Sequence, residues 1–263
     1  MEIKNSVAVI TGAASGIGRA IAMNLARHGA SVMLADVAAE GLEAAVNAIQ
    51  AAGGKAKGQV TDVTDESSVS ALMEAAVKNF GQINIVVPSA GIFRDALFLS
   101  TDRETGKVYR KMTTDQFRAV MEVNLVGTFL TLREAAERMV NNGWEGVLFT
   151  ISSINKQGEL GQLNYASTKS AVALWPKILA GEFHARKIKN IRVVGIAPGY
   201  VDTPILQGMK PEALEAVVKN VPIGRLIQAE EMTGLVEYVI QNGAIHGTTL
   251  EISGGVISRG LAK

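Results

Sequence analysis

The stretch Thr11-Gly12-Ala13-Ala14-Ser15-Gly16-Ile17-Gly18 decides the fold. It follows the apolar run Val7-Ala8-Val9-Ile10 and opens an amphipathic segment over 17–28. A strand that turns through glycines into a helix is the opening of a β-α-β unit. The glycines permit positive φ and close backbone approach, while the helix start aims free N–H groups and a positive dipole end outward. A dinucleotide pyrophosphate is the natural occupant of such a turn, here Gly12, Ser15, Gly16, Ile17 and Gly18. A tight turn used only for packing needs the same residues, so the motif depends on its context.

That context begins at Asp36, which ends the second apolar run, Val32-Met33-Leu34-Ala35-Asp36, 18 positions beyond Gly18. A carboxylate there can accept both hydroxyls of an adenosine ribose and would repel a 2′-phosphate. Ser15, Val37 and Ala38 supply no positive charge to hold such a phosphate, so NAD is expected rather than NADP. Capping of the helix expected from Ala39 is the plainer reading of Asp36, but it leaves the spacing unexplained.

Outward from this unit, short β-like runs alternate with helical stretches, as in a parallel sheet covered on both faces. Strands are expected over 6–11, 31–36, 55–60, 83–88, 146–152, 191–197 and 249–253, and helices over 17–28, 39–52, 65–80, 114–141, 165–186 and 229–240. Ligands are expected beyond the carboxyl ends of those strands. No linker, composition break or repeat divides the chain, so residues 1–263 read as one domain. Within it, 97–112 reads as a hairpin-like insertion, either functional or an oligomer contact, and 203–222 as a substrate loop or lid. Pro176 falls inside the helix beginning at Tyr165 and predicts a kink near Val172.

The 263 residues are 48% apolar and 19% charged, with 26 Lys+Arg against 25 Asp+Glu. This composition supports a sizeable core and disfavours both disorder and a basic nucleic-acid surface. Cysteine is absent, which excludes disulfide scaffolds, thiol nucleophiles and thiolate metal sites and fits a cytoplasmic location. His28, His184 and His246 never stand three or four residues apart, so no metal is expected. The N-terminus leads directly into the first strand rather than a cleavable leader, and no apolar run reaches the roughly 18 residues of a membrane span.

Further along, Ser152-Ser153 end a strand and Tyr165-Ala166-Ser167-Thr168-Lys169 open a helix. An i,i+4 spacing puts Tyr165 and Lys169 on one helical face, where an ammonium would stabilise phenolate and lower the phenol pKa towards the working range of a general acid/base. A serine hydroxyl could hold a substrate oxygen beside that phenol. A chance surface pair would show the same spacing.

With these residues in place, the chain resembles the short-chain dehydrogenase/reductases, in the 3-oxoacyl-thioester-reductase-like branch, over nearly its whole length. The resemblance rests on the glycine turn, Asp36, Asp62-Val63, Ala90-Gly91, Asn124, the serine pair, Tyr165-x-x-x-Lys169 and Pro198-Gly199. It implies a Rossmann-type doubly wound α/β fold with a seven-stranded, mostly parallel sheet. It also implies Tyr165 as acid/base, Ser153 orienting the substrate oxygen, and Lys169 binding the nicotinamide ribose. Asn124 would hold, by its backbone, a water linking Lys169 to solvent. Asp62 and Val63 would meet the adenine, Ala90 and Gly91 the adenosine side, and Val201 with Thr203 the carboxamide.

Two departures stand out. Pro88-Ser89-Ala90-Gly91 replaces the family's usual Asn-Asn-Ala-Gly, removing the hydrogen bonds of an asparagine side chain. The family serine lies 13 positions before the tyrosine, which gives Ser152, whereas aligning the strand end gives Ser153. Ser153 is preferred, because a loop loses a residue more easily than a strand slips by one and turns every side chain over.

The implied chemistry is hydride transfer between NAD(H) and a secondary alcohol or ketone. A 3-hydroxyacyl or 3-oxoacyl thioester is the first substrate expectation, and a small diol, hydroxysteroid or cyclic alcohol the second. Asn155, Gln162, Tyr200, Leu206 and Met209 are candidate pocket residues. Homotetramers or homodimers are implied, with Phe129, Val172 and Ile178 serving either the interface or the core. A non-catalytic NAD-binding regulator would not need Asn124, Ser153, Tyr165 and Lys169 together. A sugar-nucleotide epimerase would need a larger C-terminal region, and a hydrolase a Gly-x-Ser-x-Gly elbow.

Overall fold

The computed structural model describes residues 1–256; residues 257–263, part of the one-domain expectation, lie outside the described residues. Seven parallel strands form the central sheet in the order β3-β2-β1-β4-β7-β8-β9. They are β1 (Val7–Thr11), β2 (Ser31–Asp36), β3 (Lys55–Val60), β4 (Ile85–Pro88), β7 (Gly146–Ile151), β8 (Ile191–Pro198) and β9 (Thr248–Ile252). The strand order reverses between β1 and β4, which opens a crevice beyond their carboxyl ends.

The burial of each strand follows its place in the sheet. β1, β4 and β7 are buried at every position, because helices cover both faces. The edge strand β3, Lys-Ala-Lys-Gly-Gln-Val, buries only Ala56. Successive residues of β1 serve opposite cores: Ala8 and Ile10 pack with α1 (Gly16–Arg27) and α9 (Ala229–Gln241), while Val9 packs with α3 (Glu66–Phe80) and α5 (Gly127–Asn142). The fourth strand starts two residues later than expected because Asn84 acts as a clamp. Its Oδ1 accepts from Val7 N at 2.9 Å and its Nδ2 donates to the Glu145 carbonyl at 2.8 Å.

The helix expected over 114–141 is interrupted. α4 (Thr114–Met121) passes through a π turn (Glu122–Val126) before α5 begins. The wide turn puts Asn124, fully buried, against the chain after β4, where Oδ1 accepts from Ile92 N at 2.8 Å and Nδ2 donates to Ile92 O at 3.0 Å. α6 (Leu163–Ala185) continues through Pro176, so the proline does not end it. Near the carbonyl that Pro176 leaves unpaired, on Val172, Thr249 Oγ1 donates to the Ala173 carbonyl at 2.7 Å. Val172 is core, whereas Phe129 and Ile178 are exposed.

Between β4 and α4, β5 (Leu99–Thr101) and β6 (Val108–Lys111) pair antiparallel. Asp102 holds their turn by accepting from Glu104 N, Thr105 N and Thr105 Oγ1. Phe98 and Tyr109 are exposed on this ribbon, whose root is tied down where Ala96 N donates to Gly161 O at 2.9 Å. α7 (Pro204–Gln207) and α8 (Pro211–Val218) occupy much of 203–222. No helix of the described residues is long and apolar enough to cross a membrane.

One cation closes the end of α9. Arg192 on β8 donates through Nη1 to the carbonyls of Val239, Asn242 and Ile245 (3.0, 3.1 and 2.8 Å) and through Nη2 to Ile240 (2.8 Å). The helix end leaves carbonyls there without intrahelical partners, and the Asn242 carbonyl also accepts from Ile245 N at 3.2 Å. Arg192→Met should cost about 2–3 kcal/mol in urea unfolding. A loss below about 0.5 kcal/mol would show that water serves those carbonyls equally well.

Candidate active site

The glycine turn is built by close contacts. Gly12 has φ +65°, and a Cβ there would stand 2.6 Å from Ala90 N; one on Gly18 would stand 2.4 Å from the Gly12 carbonyl oxygen. α1 is thus seated against its own strand, and the turn against the end of β4. Thr11 Oγ1 accepts from Ala90 N at 3.3 Å, adding a hydrogen bond to that contact. Ser15 precedes α1 without capping it, and no acidic residue lies in its first turn, so the leading N–H groups are open to an anion. Thr203 meets the same turn, 3.6 Å from where a Gly16 Cβ would lie.

Asp36 lies beside it. Its Oδ2 accepts from Ala14 N and its Oδ1 from Ala38 N, both at 3.0 Å. Neither donor is inside α2 (Ala39–Ala51), so capping does not account for the carboxylate. Thr61 N reaches the Asp36 carbonyl at 3.0 Å, which brings the next turn alongside. There Asp62 accepts from Thr64 N and Oγ1, and Val63 is buried against Gly127. Pro198 ends β8, Gly199 packs on the Ser253 backbone, and Val201 bridges to Ile227. The free N–H groups, the cradle without Cβ atoms and the adjoining carboxylate together fit a dinucleotide.

The polar constellation gathers where β4 and β7 end. Lys169 is buried and its Nζ donates to the Ile151 carbonyl at 2.8 Å. Ser152 Oγ donates in the other direction, to the Lys169 carbonyl at 2.7 Å. This engagement leaves Ser153 as the serine whose hydroxyl approaches the Tyr165 phenol closely enough to favour its ionised form. Ser153 Oγ also accepts from Asn155 N at 3.1 Å, capping a short 3₁₀ turn. A Cβ on Gly91 would lie 3.5 Å from Asn124 Oδ1 and 4.0 Å from Lys169 Nζ, so the segment after β4 closes the group. The Asn124 carbonyl accepts from Thr128 Oγ1 at 2.8 Å.

Two members were not anticipated. Phe93 stacks on Tyr165 with ring centroids 4.3 Å apart, and Asp95 Oδ2 accepts from Gln162 Nε2 at 2.7 Å. Gln162 Oε1 in turn accepts from Asn155 Nδ2 at 2.8 Å. Both new residues lie in the irregular chain after Ala90-Gly91, where no periodicity marks them. Tyr200 follows β8, Leu206 lies in α7 and Met209 just beyond it, and all three are half-buried. Among the described residues no group of three or more His, Asp or Glu converges as a metal site would.

The charge states differ from the sequence expectation. The nearby Lys169 does not offset the effect of burial on the phenol. Burial pushes Tyr165 up to about 12, opposed by the Ser153 hydroxyl and reinforced by the Asp95 charge. Burial likewise brings Lys169 down to about 8. The reason is placement, since Nζ lies 5.5 Å from the centroid of the Tyr165 ring while it hydrogen-bonds to the Ile151 carbonyl. The depressed Lys169 value means that the unfolded chain holds this proton more tightly than the native one. Stability should therefore rise with pH from about 8 towards the ordinary lysine value of 10.5. Tyr165, with its raised value, opposes this only above about pH 10. Urea unfolding should show a gain on the order of 1 kcal/mol per pH unit between pH 8.5 and 9.5 that Lys169→Met abolishes. An equal gain in that variant would locate the titration elsewhere.

The family model for short chain dehydrogenases matches residues 6–213. The 3-oxoacyl-[acyl-carrier-protein] reductase FabG of Thermotoga maritima is 31% identical over 263 aligned positions, covering 98% of this chain and all of that protein. A cis-4-hydroxycyclohexanecarboxylate dehydrogenase of Sinomonas cyclohexanicum is 36% identical, with 95% of each chain covered. A solved 7 alpha-hydroxysteroid dehydrogenase, in complex with NADH and 7-oxo glycochenodeoxycholic acid, superposes with a TM-score of 0.87 at 31% identity, covering 97% of this chain and 96% of the other. With the family model spanning most of the chain and these relatives aligned nearly end to end, the chain belongs to the short-chain dehydrogenases and is an oxidoreductase.

Proposed function

We propose that the protein transfers hydride reversibly between NAD(H) and a secondary alcohol or ketone, with Tyr165 as the acid/base. The observation that carries this reading is the convergence of Ser153, Tyr165, Lys169 and Asn124 beside a glycine turn built for a dinucleotide. When bound, the nicotinamide ring accepts or gives the hydride. The remaining work falls to this chain. Ser153 holds the substrate oxygen, and Tyr165 takes the hydroxyl proton in oxidation or returns it in reduction. Lys169 binds the nicotinamide ribose, and Asn124 supports proton exchange with solvent through a water at its carbonyl. Gly12, Ser15, Gly16, Ile17 and Gly18 hold the pyrophosphate. Asp62 and Val63 face the adenine, Ala90 and Gly91 the adenosine side, and Pro198, Gly199, Val201 and Thr203 the carboxamide end.

Asp36 supports NAD over NADP, because its carboxylate stands at the turn with only Val37 and Ala38 beside it in sequence. A 3-hydroxyacyl or 3-oxoacyl thioester is the first substrate class, supported by the reductase relatives. The cyclohexanecarboxylate and hydroxysteroid enzymes favour a cyclic alcohol as the second reading. The stretch 203–222 serves as a lid, and the exposed Phe129 and Ile178 fit assembly as a homotetramer or homodimer.

Tyr165→Phe should lower kcat by at least about a hundredfold while leaving NADH affinity within about threefold, read by nicotinamide fluorescence. Near-normal turnover would remove Tyr165 from the chemistry. In the same titration NADH should bind at least about tenfold more tightly than NADPH, and Asp36→Ala should narrow the gap. Tighter binding of NADPH by the unaltered protein would overturn the role given to Asp36.

A further inference from the structure

Asp95 is a carboxylate at the reactive constellation that the acid/base mechanism does not use. Its Oδ2 accepts from Gln162 Nε2, Gln162 Oε1 accepts from Asn155 Nδ2, Asn155 N donates to Ser153 Oγ, and the Ser153 hydroxyl adjoins the Tyr165 phenol. Both ends of the Gln162 amide are therefore engaged, which fixes the carboxylate relative to the two hydroxyls. Asp95 Oδ1 accepts no hydrogen bond among the described residues, and no cation pairs with the group there. The neighbouring Arg94 turns its Nη1 to the Phe93 carbonyl instead. Asp95 remains accessible at the surface, yet the atoms crowding it raise its carboxyl pKa, and its charge is felt at the phenol.

We propose that Asp95 is a specificity residue, its free oxygen accepting a hydrogen bond from a donor that the substrate carries near its reacting carbinol. A hydroxyl, amide N–H or ammonium at that place is favoured, and a carboxylate there is repelled. The proposal rests on the reading of Tyr165 and Ser153 as the reacting end of the pocket. It narrows that reading to substrates that are uncharged or cationic beside the carbinol, and among these it favours a donor-bearing alcohol over a 3-hydroxyacyl thioester, whose thioester group carries no donor.

Three probes share one carbinol and differ only beside it: 3-hydroxybutanoic acid as its N-methylamide, as its methyl ester and as the free carboxylate. With saturating NAD at pH 8, the unaltered enzyme should rank them amide, ester, carboxylate in kcat/KM, each step about tenfold, the equivalent of one charge-assisted hydrogen bond. Asp95→Asn should bring amide and ester within about threefold and raise the carboxylate about tenfold. It should also move the half-maximal pH of oxidation downward, because a negative charge that disfavours phenolate is gone. A residue that merely braced the loop would change all three probes alike and leave the pH profile in place.

The same ranking is read as dissociation constants with Tyr165→Phe holding NADH. Absence of turnover on every probe by the unaltered enzyme would count against the acid/base reading, while recognition by Asp95 is still measured in these dissociation constants. An unchanged order in the Asp95→Asn protein, or parity of the three probes in the unaltered one, overturns the proposal.

Discussion

The reactive geometry depends on the double tie between the end of β7 and the first turns of α6. Lys169 Nζ donates to the Ile151 carbonyl, and Ser152 Oγ donates to the Lys169 carbonyl. Each bond crosses between strand and helix in the opposite direction, so the pair resists both sliding and rotation of α6 over the sheet. Ser153 and Tyr165 lie immediately beyond these anchors, and their approach follows from them. Neither tie tolerates water in place of its partner without cost, because Lys169 and Ser152 are both buried.

That same burial governs the electrostatics. An ammonium and a phenolate are each penalised when removed from water, so the enclosed pair moves towards its neutral forms. An i,i+4 spacing in sequence cannot reveal this, since it fixes which residues share a face but neither how dry that face is nor where Nζ points. Lys169 directs one N–H to a main-chain carbonyl, and its Nζ stands 5.5 Å from the centroid of the Tyr165 ring.

The sheet was legible because parallel strands buried on both faces must be apolar runs, and Val7-Ala8-Val9-Ile10 and Val32-Met33-Leu34-Ala35 could hardly be anything else. The glycine turn was legible because Gly12 and Gly18 sit where a Cβ would meet backbone. The π turn at Asn124 was not, since widening a helix by one residue leaves no periodic mark until the side chain it redirects is seen gripping Ile92. Strand register favours Ser153 over Ser152, where counting from the tyrosine alone chooses the other, and it is the Ser153 hydroxyl that adjoins the Tyr165 phenol. Phe93 and Asp95 were missed for the opposite reason to Asn124. They occupy irregular chain, where only tertiary contact with Tyr165 and Gln162 gives them meaning.

This division between scaffold and irregular chain has a functional logic. Ser153, Tyr165 and Lys169 stand on or beside regular elements whose hydrogen bonds fix their positions, as a preorganised site needs. Phe93 and Asp95 belong to the segment that departs from β4 towards the antiparallel ribbon, and they reach Tyr165 and Gln162 from outside the sheet. A segment of that kind can vary in length and composition without disturbing the ties at β7 and α6. Such a segment can change what lies beside the candidate site while the ties themselves stay fixed. In this chain the segment places there a carboxylate whose second oxygen has no partner among the described residues, and it is to this oxygen that the proposed substrate donor would bind.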